Sequence, residues 1–146
     1  MTETIRVLIA DDDPLVRDSL RALIETEPGM DAVGEAADGI EAVLKARSLQ
    51  PDVILLDLRL PECDGLATCR TLQSHAPEIP VIILTSYQEE DYSVKALSVG
   101  AWGCLSKIAS LEEIIGAARS VELGQRSSPH AGKLPVLPPH LTVPYI

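Results

Sequence analysis

Four short polar clusters in this chain each close an apolar run, and their residue types suit a hard cation or a phosphate. Asp11, Asp12 and Asp13 follow Ile5 to Ala10, and Asp57 follows Val53 to Leu56. Thr85 and Ser86 follow Val81 to Leu84, and Ser106 and Lys107 follow a run near Trp102 to Leu105. A lone Asp at such a place more often caps the next turn than does chemistry. Asp57 rises above that role only if the other clusters meet it. Were Asp11, Asp12 and Asp57 to converge, each pair of carboxylates about 4 Å apart would repel by roughly 4 kcal/mol at an effective dielectric near 20. A bound cation is the simplest remedy. The donors are all oxygen and no histidine lies near them in sequence, which favours Mg²⁺ over zinc; Mg²⁺ would keep several waters and accept a phosphate as well. Asp13 precedes Pro14 and reads as a helix N-cap, outside the site.

The elements that must position these groups alternate along the chain. Ile5 to Ala10 reads as a strand, and Val16, Leu20, Leu23 and Ile24 recur at helical spacing behind Asp13 and Pro14. Pro28 and Gly29 stop that helix, Asp31 to Ala36 is a weaker strand, and Asp38 opens a helix with Ile40, Val43 and Leu44 on one face. Val53 to Leu56 is the central strand, with a helix near Asp64 to Ser74. Val81 to Leu84 is a fourth strand, with a helix over about 89–99 ending at Gly100. A short strand near Trp102 to Leu105 precedes a capping box, Ser110 to Glu113, and a fifth helix carrying Leu111, Ile114, Ile115 and Ala118. Five strand-then-helix units predict an α/β fold, a doubly wound parallel sheet with helices on both faces. Such sheets bind ligands at the carboxyl ends of their strands, which is where every one of the polar clusters falls.

Composition bounds the rest. A chain of 146 residues with 46% hydrophobic content is one globular domain's worth. Its formal charge of -10 argues against nucleic-acid binding by this chain alone, because phosphate neutralisation needs clustered Lys and Arg. Three cysteines are too few for a disulfide framework. No apolar run is long enough to enter a membrane, so a cytoplasmic protein is expected. Pro129, Pro135, Pro138, Pro139 and Pro144 then mark 125–146 as an extended tail or linker behind a domain over 1–124.

The residues Asp11-Asp12, Asp57 with Pro61 and Asp64-Gly65, Thr85-Ser86, Gly100-Ala101 and Lys107 resemble the response-regulator receiver domain of two-component signalling, over about residues 5–123. The resemblance implies a flavodoxin-like (βα)5 fold with strand order 2-1-3-4-5. It implies that Asp57 takes a phosphoryl group from a sensor histidine kinase, so that the domain is a signalling switch and not an enzyme. Asp12 would bind Mg²⁺ directly and Asp11 through water, with Asp57 and the main-chain carbonyl of Arg59 completing the protein's share. Lys107 would pair with one phosphoryl oxygen and Thr85 would hydrogen-bond another, while Mg²⁺ and Lys107 together offset the roughly two charges that phosphorylation adds. A homodimer through the fourth helix, fifth strand and fifth helix is a further expectation of the family.

Two positions depart from the family pattern. Cys104 stands where many receivers carry a rotating aromatic switch, which leaves Ser86, Tyr87 and Trp102 as the nearby accessory residues; Ile108 replaces a frequent proline after Lys107. A Mg²⁺-dependent phosphohydrolase working through an aspartyl phosphate is a competing class, but it would need a second Asp two residues after Asp57, where Arg59 stands. A degenerate receiver acting as an unphosphorylated interaction module is the other, and the presence of Asp57, Thr85 and Lys107 weighs against it. The wording around Asp11 to Pro14 is similar to receivers that precede a helix-turn-helix DNA-binding domain. Transcription control through such a domain, absent from these 146 residues, is therefore expected.

Overall fold

The computed structural model describes residues 4–57, 65–85, 100–101, 103–106 and 116–119, with the backbone alone at 85 and 103–106. Strands and helices alternate: β1 (Ile5–Ala10), α1 (Pro14–Thr26), β2 (Met30–Ala36), α2 (Gly39–Leu49), β3 (Val53–Asp57), α3 (Gly65–His75), β4 (Val81–Thr85) and β5 (Gly103–Ser106). All strand pairings are parallel and the order is β2-β1-β3-β4-β5. The direction of winding reverses between β1 and β3, so the cleft beyond their carboxyl ends is the switch point of the sheet.

Alternation along β1 distributes its side chains to two cores. Ile5, Val7 and Ile9 pack in one layer with Leu20 and Ile24 of α1 and with Ala117 and Ala118. Leu8 and Ala10 enter the other layer, with Ala42 and Ala46 of α2 and Cys69 and Leu72 of α3. Helices thus flank both faces of the sheet. β3 lies at its centre, and each of its five residues is buried. A strand covered on both faces has no polar side to offer, which is why its sequence is an unbroken apolar run up to Asp57. The helix expected over about 89–99 lies outside the described residues, and of the fifth helix the described part is helical over 116–119.

Local chemistry sets the boundaries. Asp13 caps α1, its carboxylate accepting the Leu15 N–H at 2.9 Å, and Pro14 occupies the first turn. Asp38 caps α2 in the same way, accepting from the Glu41 N–H at 2.8 Å. β2 begins at Met30, one residue before the sequence expectation, and Val33 is bulged between Ala32, paired with Val7, and Gly34, paired with Leu8. Gly100 has φ +99°, and a Cβ there would come within 2.5 Å of Gln73 Cγ, so glycine is required for both conformation and space.

α2 sits differently from what its pattern suggests. Ile40, Val43 and Leu44 do share a face, but Ile40 is 57% and Leu44 60% exposed, whereas Gly39, Ala42 and Ala46 are buried. Small residues let the helix axis approach the sheet closely, Val43 packs half-buried against that layer, and Ile40 and Leu44 turn outward to line a shallow groove with Thr68 and Thr71 of α3. Cys69 belongs to the core, and His75 lies exposed, bonded through Nδ1 to the Thr71 carbonyl at 2.9 Å.

Candidate phosphoacceptor and metal site

Strand register brings the acids together. Ala10 of β1 is level with Leu56 of β3, so the next residues, Asp11 and Asp57, leave the sheet side by side. Carboxylate oxygens of Asp11, Asp12 and Asp57 lie within 4.8 Å of one another. Asp11 and Asp57 are buried, at 1% and 3% exposure, while Asp12 is exposed. The cluster therefore has a buried floor and one side open to solvent. Two negative charges 4.8 Å apart repel by about 3.5 kcal/mol at an effective dielectric of about 20, a repulsion that a divalent cation would lower. Oxygen donors alone and an open side for waters fit Mg²⁺, which dehydrates reluctantly and binds one or two carboxylates beside a phosphate.

The loop that carries the first two acids is fastened on several sides. The Asp11 N–H continues the ladder to β2 by donating to the Ala36 carbonyl at 3.0 Å. Asp11 Oδ1 accepts the Asp13 N–H at 2.9 Å, which turns the chain into α1. Arg17, one turn into that helix, folds back and donates from Nη1 to the Asp11 carbonyl at 2.7 Å and from Nε to Glu35 Oε1 at 3.0 Å. Glu35 on β2 also takes a bond from Arg21 Nε, and its own carbonyl accepts Lys45 Nζ. None of Arg17, Glu35 or Lys45 was visible as site-related in the sequence. A charged Glu inside a strand that is otherwise half apolar was the available signal, and its partners become apparent only once β2 and α1 are placed side by side.

Burial works to raise the Glu35 carboxyl, but hydrogen bonds from Arg21 and Arg17 outweigh it and hold the group below its ordinary range. The Ala37 N–H, at 2.7 Å, and Lys45 do the same for Glu41. A folded-state pKa below the unfolded one contributes stability that is present above the unfolded value and lost as pH falls through the folded one. The double variant Glu35→Gln/Glu41→Gln is accordingly expected to lose less stability than the parent between about pH 7 and pH 3. Urea denaturation at the two pH values measures it, and parallel losses in both proteins would refute the assignment.

Of the other residues expected at the site, Thr85 ends β4 in register with Ser106 of β5, beside the pair Asp57 and Leu84, with its backbone at the same sheet edge as the acids. Cys104 lies in β5 opposite Ile83. Arg59, Ser86, Tyr87, Trp102 and Lys107 lie outside the described residues.

The family model for the response regulator receiver domain matches residues 7–119. The chain is 42% identical over 123 residues to the response regulator GacA of Pseudomonas protegens, covering 84% of this chain and 57% of that protein. Among solved structures, a two-component response regulator of the LuxR family from Aurantimonas superposes with a TM-score of 0.80 at 34% identity, over 84% of this chain and 87% of that one. The signal receiver domain of the response regulator NarL of Mycobacterium tuberculosis, described as putative, gives 0.79 at 32% identity, over 84% and 98%. The chain belongs to the response regulator receiver domain family. It is a phosphorylation-dependent signalling domain, and its aspartate cluster matches the Mg²⁺-binding site of receivers. The chain spans a little over half the length of the curated relatives it matches. Among the described residues no helix is long and apolar enough to cross a membrane.

Proposed function

We propose that Asp57 is the phosphoacceptor of this domain and that a sensor histidine kinase is its phosphoryl donor. The observation that carries the reading is the Asp57 carboxylate, buried at the carboxyl end of the central strand, within 4.8 Å of Asp11 and Asp12. Phosphoryl transfer asks a protein chiefly for positioning and charge neutralisation, and this cluster offers both. Asp12, on the exposed side, is the direct Mg²⁺ ligand; Asp11 acts through water, and Asp57 with the Arg59 carbonyl completes the set. Lys107 and Thr85 take the phosphoryl oxygens, with Ser86, Tyr87, Trp102 and Cys104 as accessory positions. The domain occupies 1–124 as five βα units and 125–146 is a linker, consistent with a family match over 7–119.

Phosphorylation then alters the surface of the fourth helix, fifth strand and fifth helix, where a second copy docks. Output is transcriptional and cytoplasmic, through a DNA-binding domain outside these 146 residues. The transcriptional regulatory protein YxjL of Bacillus subtilis, 37% identical over 123 residues and longer than this chain, supports that reading. Intact mass after incubation with acetyl phosphate, with Mg²⁺ and with EDTA, tests the central claim. One Mg²⁺-dependent phosphoryl adduct is expected, and no adduct on a chain proven to bind Mg²⁺ sinks it in favour of an unphosphorylated interaction module.

A further inference from the structure

We propose that Arg17 is a positioning residue for the Mg²⁺ site, clamping the main-chain carbonyl of Asp11 to Glu35 on β2. The inference rests on the function proposed above and adds a residue to it. Asp11 and Asp12 are consecutive, so the two cation-facing carboxylates leave a single short piece of backbone between β1 and α1. Their spacing to Asp57 is only as fixed as that backbone. The Asp11 N–H is secured by the β-ladder and its carboxylate by the Asp13 N–H. Its carbonyl is secured by the Arg17 guanidinium at 2.7 Å. A planar guanidinium can serve two acceptors without bending, and Arg17 uses that property to hold Asp11 and Glu35 together, with its side chain only 18% exposed.

Glu35 has a second part in this arrangement. A lone cation beside three carboxylates would oppose Mg²⁺ binding, yet the charge of Arg17 is met by Glu35 at 3.0 Å. Arg21 and Glu25 extend the network along α1, and Lys45 reaches the Glu35 carbonyl from α2. The clamp is thus itself anchored from two helices and a strand. Removing it has an effect of definite sign. If Arg17 acted merely as a nearby positive charge, its loss would tighten Mg²⁺ binding. If it positions the ligands, its loss weakens binding, and groups that orient metal ligands typically contribute about 10- to 100-fold in affinity.

The test is calorimetric titration with magnesium chloride of the parent chain, Arg17→Met and Arg17→Lys. Arg17→Met keeps much of the aliphatic volume and removes both donors; its Mg²⁺ affinity is expected to fall about 10- to 100-fold. Arg17→Lys, which keeps the charge without the planar fork, is expected to fall less but in the same direction. With acetyl phosphate, Arg17→Met should need correspondingly more Mg²⁺ for half-maximal phosphorylation and recover close to the parent rate at saturation. That pattern marks lost binding and not lost chemistry, and simple destabilisation would not produce it. Unchanged or tighter Mg²⁺ binding by folded Arg17→Met overturns the inference alone. Should Arg17→Met not fold, Arg17→Lys decides, and parent-like affinity overturns the inference. A parent chain that binds no Mg²⁺ overturns the proposed function and this inference with it.

Discussion

Asp57→Asn is expected to take up no phosphoryl group from acetyl phosphate and, in EDTA, to melt at a higher temperature than the parent. The two effects share one cause. Asp57 is held at 3% exposure beside two other carboxylates, an arrangement that favours a cation. Replacing one charge by an amide of the same shape removes two repulsive pairs, each about 3.5 kcal/mol at an effective dielectric of about 20 and a spacing of 4.8 Å. Asp12 is open to water and the new amide must still be solvated, so a net gain of about 1–2 kcal/mol is expected. For a domain of this size each kcal/mol moves the midpoint by roughly 2–8 °C. Mass spectrometry reads the first effect and thermal unfolding the second. An adduct that persists in Asp57→Asn would remove this residue as the acceptor. A lower melting point would mean that its carboxylate stabilises the metal-free fold and that the repulsion is relieved locally.

Leu56→Ala should be the most damaging apolar truncation near the site. Leu56 is completely buried in the layer formed with α2 and α3, directly before the phosphoacceptor. Large-to-small changes at such positions cost about 2–5 kcal/mol, the spread reflecting how far the surroundings collapse. Total stability of a domain is about 5–15 kcal/mol, so this single change would remove a large share. Leu44→Ala, at an equally apolar position 60% exposed on α2, should cost no more than about 0.5 kcal/mol. Urea midpoints for the pair give a direct comparison. Equal costs would contradict the burial that makes β3 the centre of the sheet.

The contrast between those two leucines also marks where the sequence is readable. β3 is legible because a strand buried on both faces must be apolar at every position, and the abrupt change to Asp57 then has one natural explanation. β1 and α1 are legible for a similar reason, with Asp13 and Pro14 fixing the helix start that lifts Asp11 and Asp12 to the sheet edge. Helical spacing in α2 identifies Ile40, Val43 and Leu44 as a common face but carries no sign for inward or outward. Close approach to the sheet selected the alanine face instead. Arg17 and Glu35 were illegible because their partnership spans a helix and a strand and depends on register. Each alone is an ordinary charged residue.

The tie between Arg119 and the end of α1 bears on how the chain folds. Arg119 Nη2 donates to the Pro28 carbonyl at 2.6 Å and reaches Glu27 at 3.3 Å, closing loops of 91 and 92 residues, while Ala117 and Ala118 fill the layer beneath α1. Contacts of such separation are entropically late. During synthesis β1 and α1 leave the ribosome first, yet the layer they form is completed only when Ala117 and Ala118 have followed. The nascent domain depends on the turn at 116–119 for closure, and a chain cut short before that turn would present the inner side of β1 and α1 to whatever apolar surface it met first.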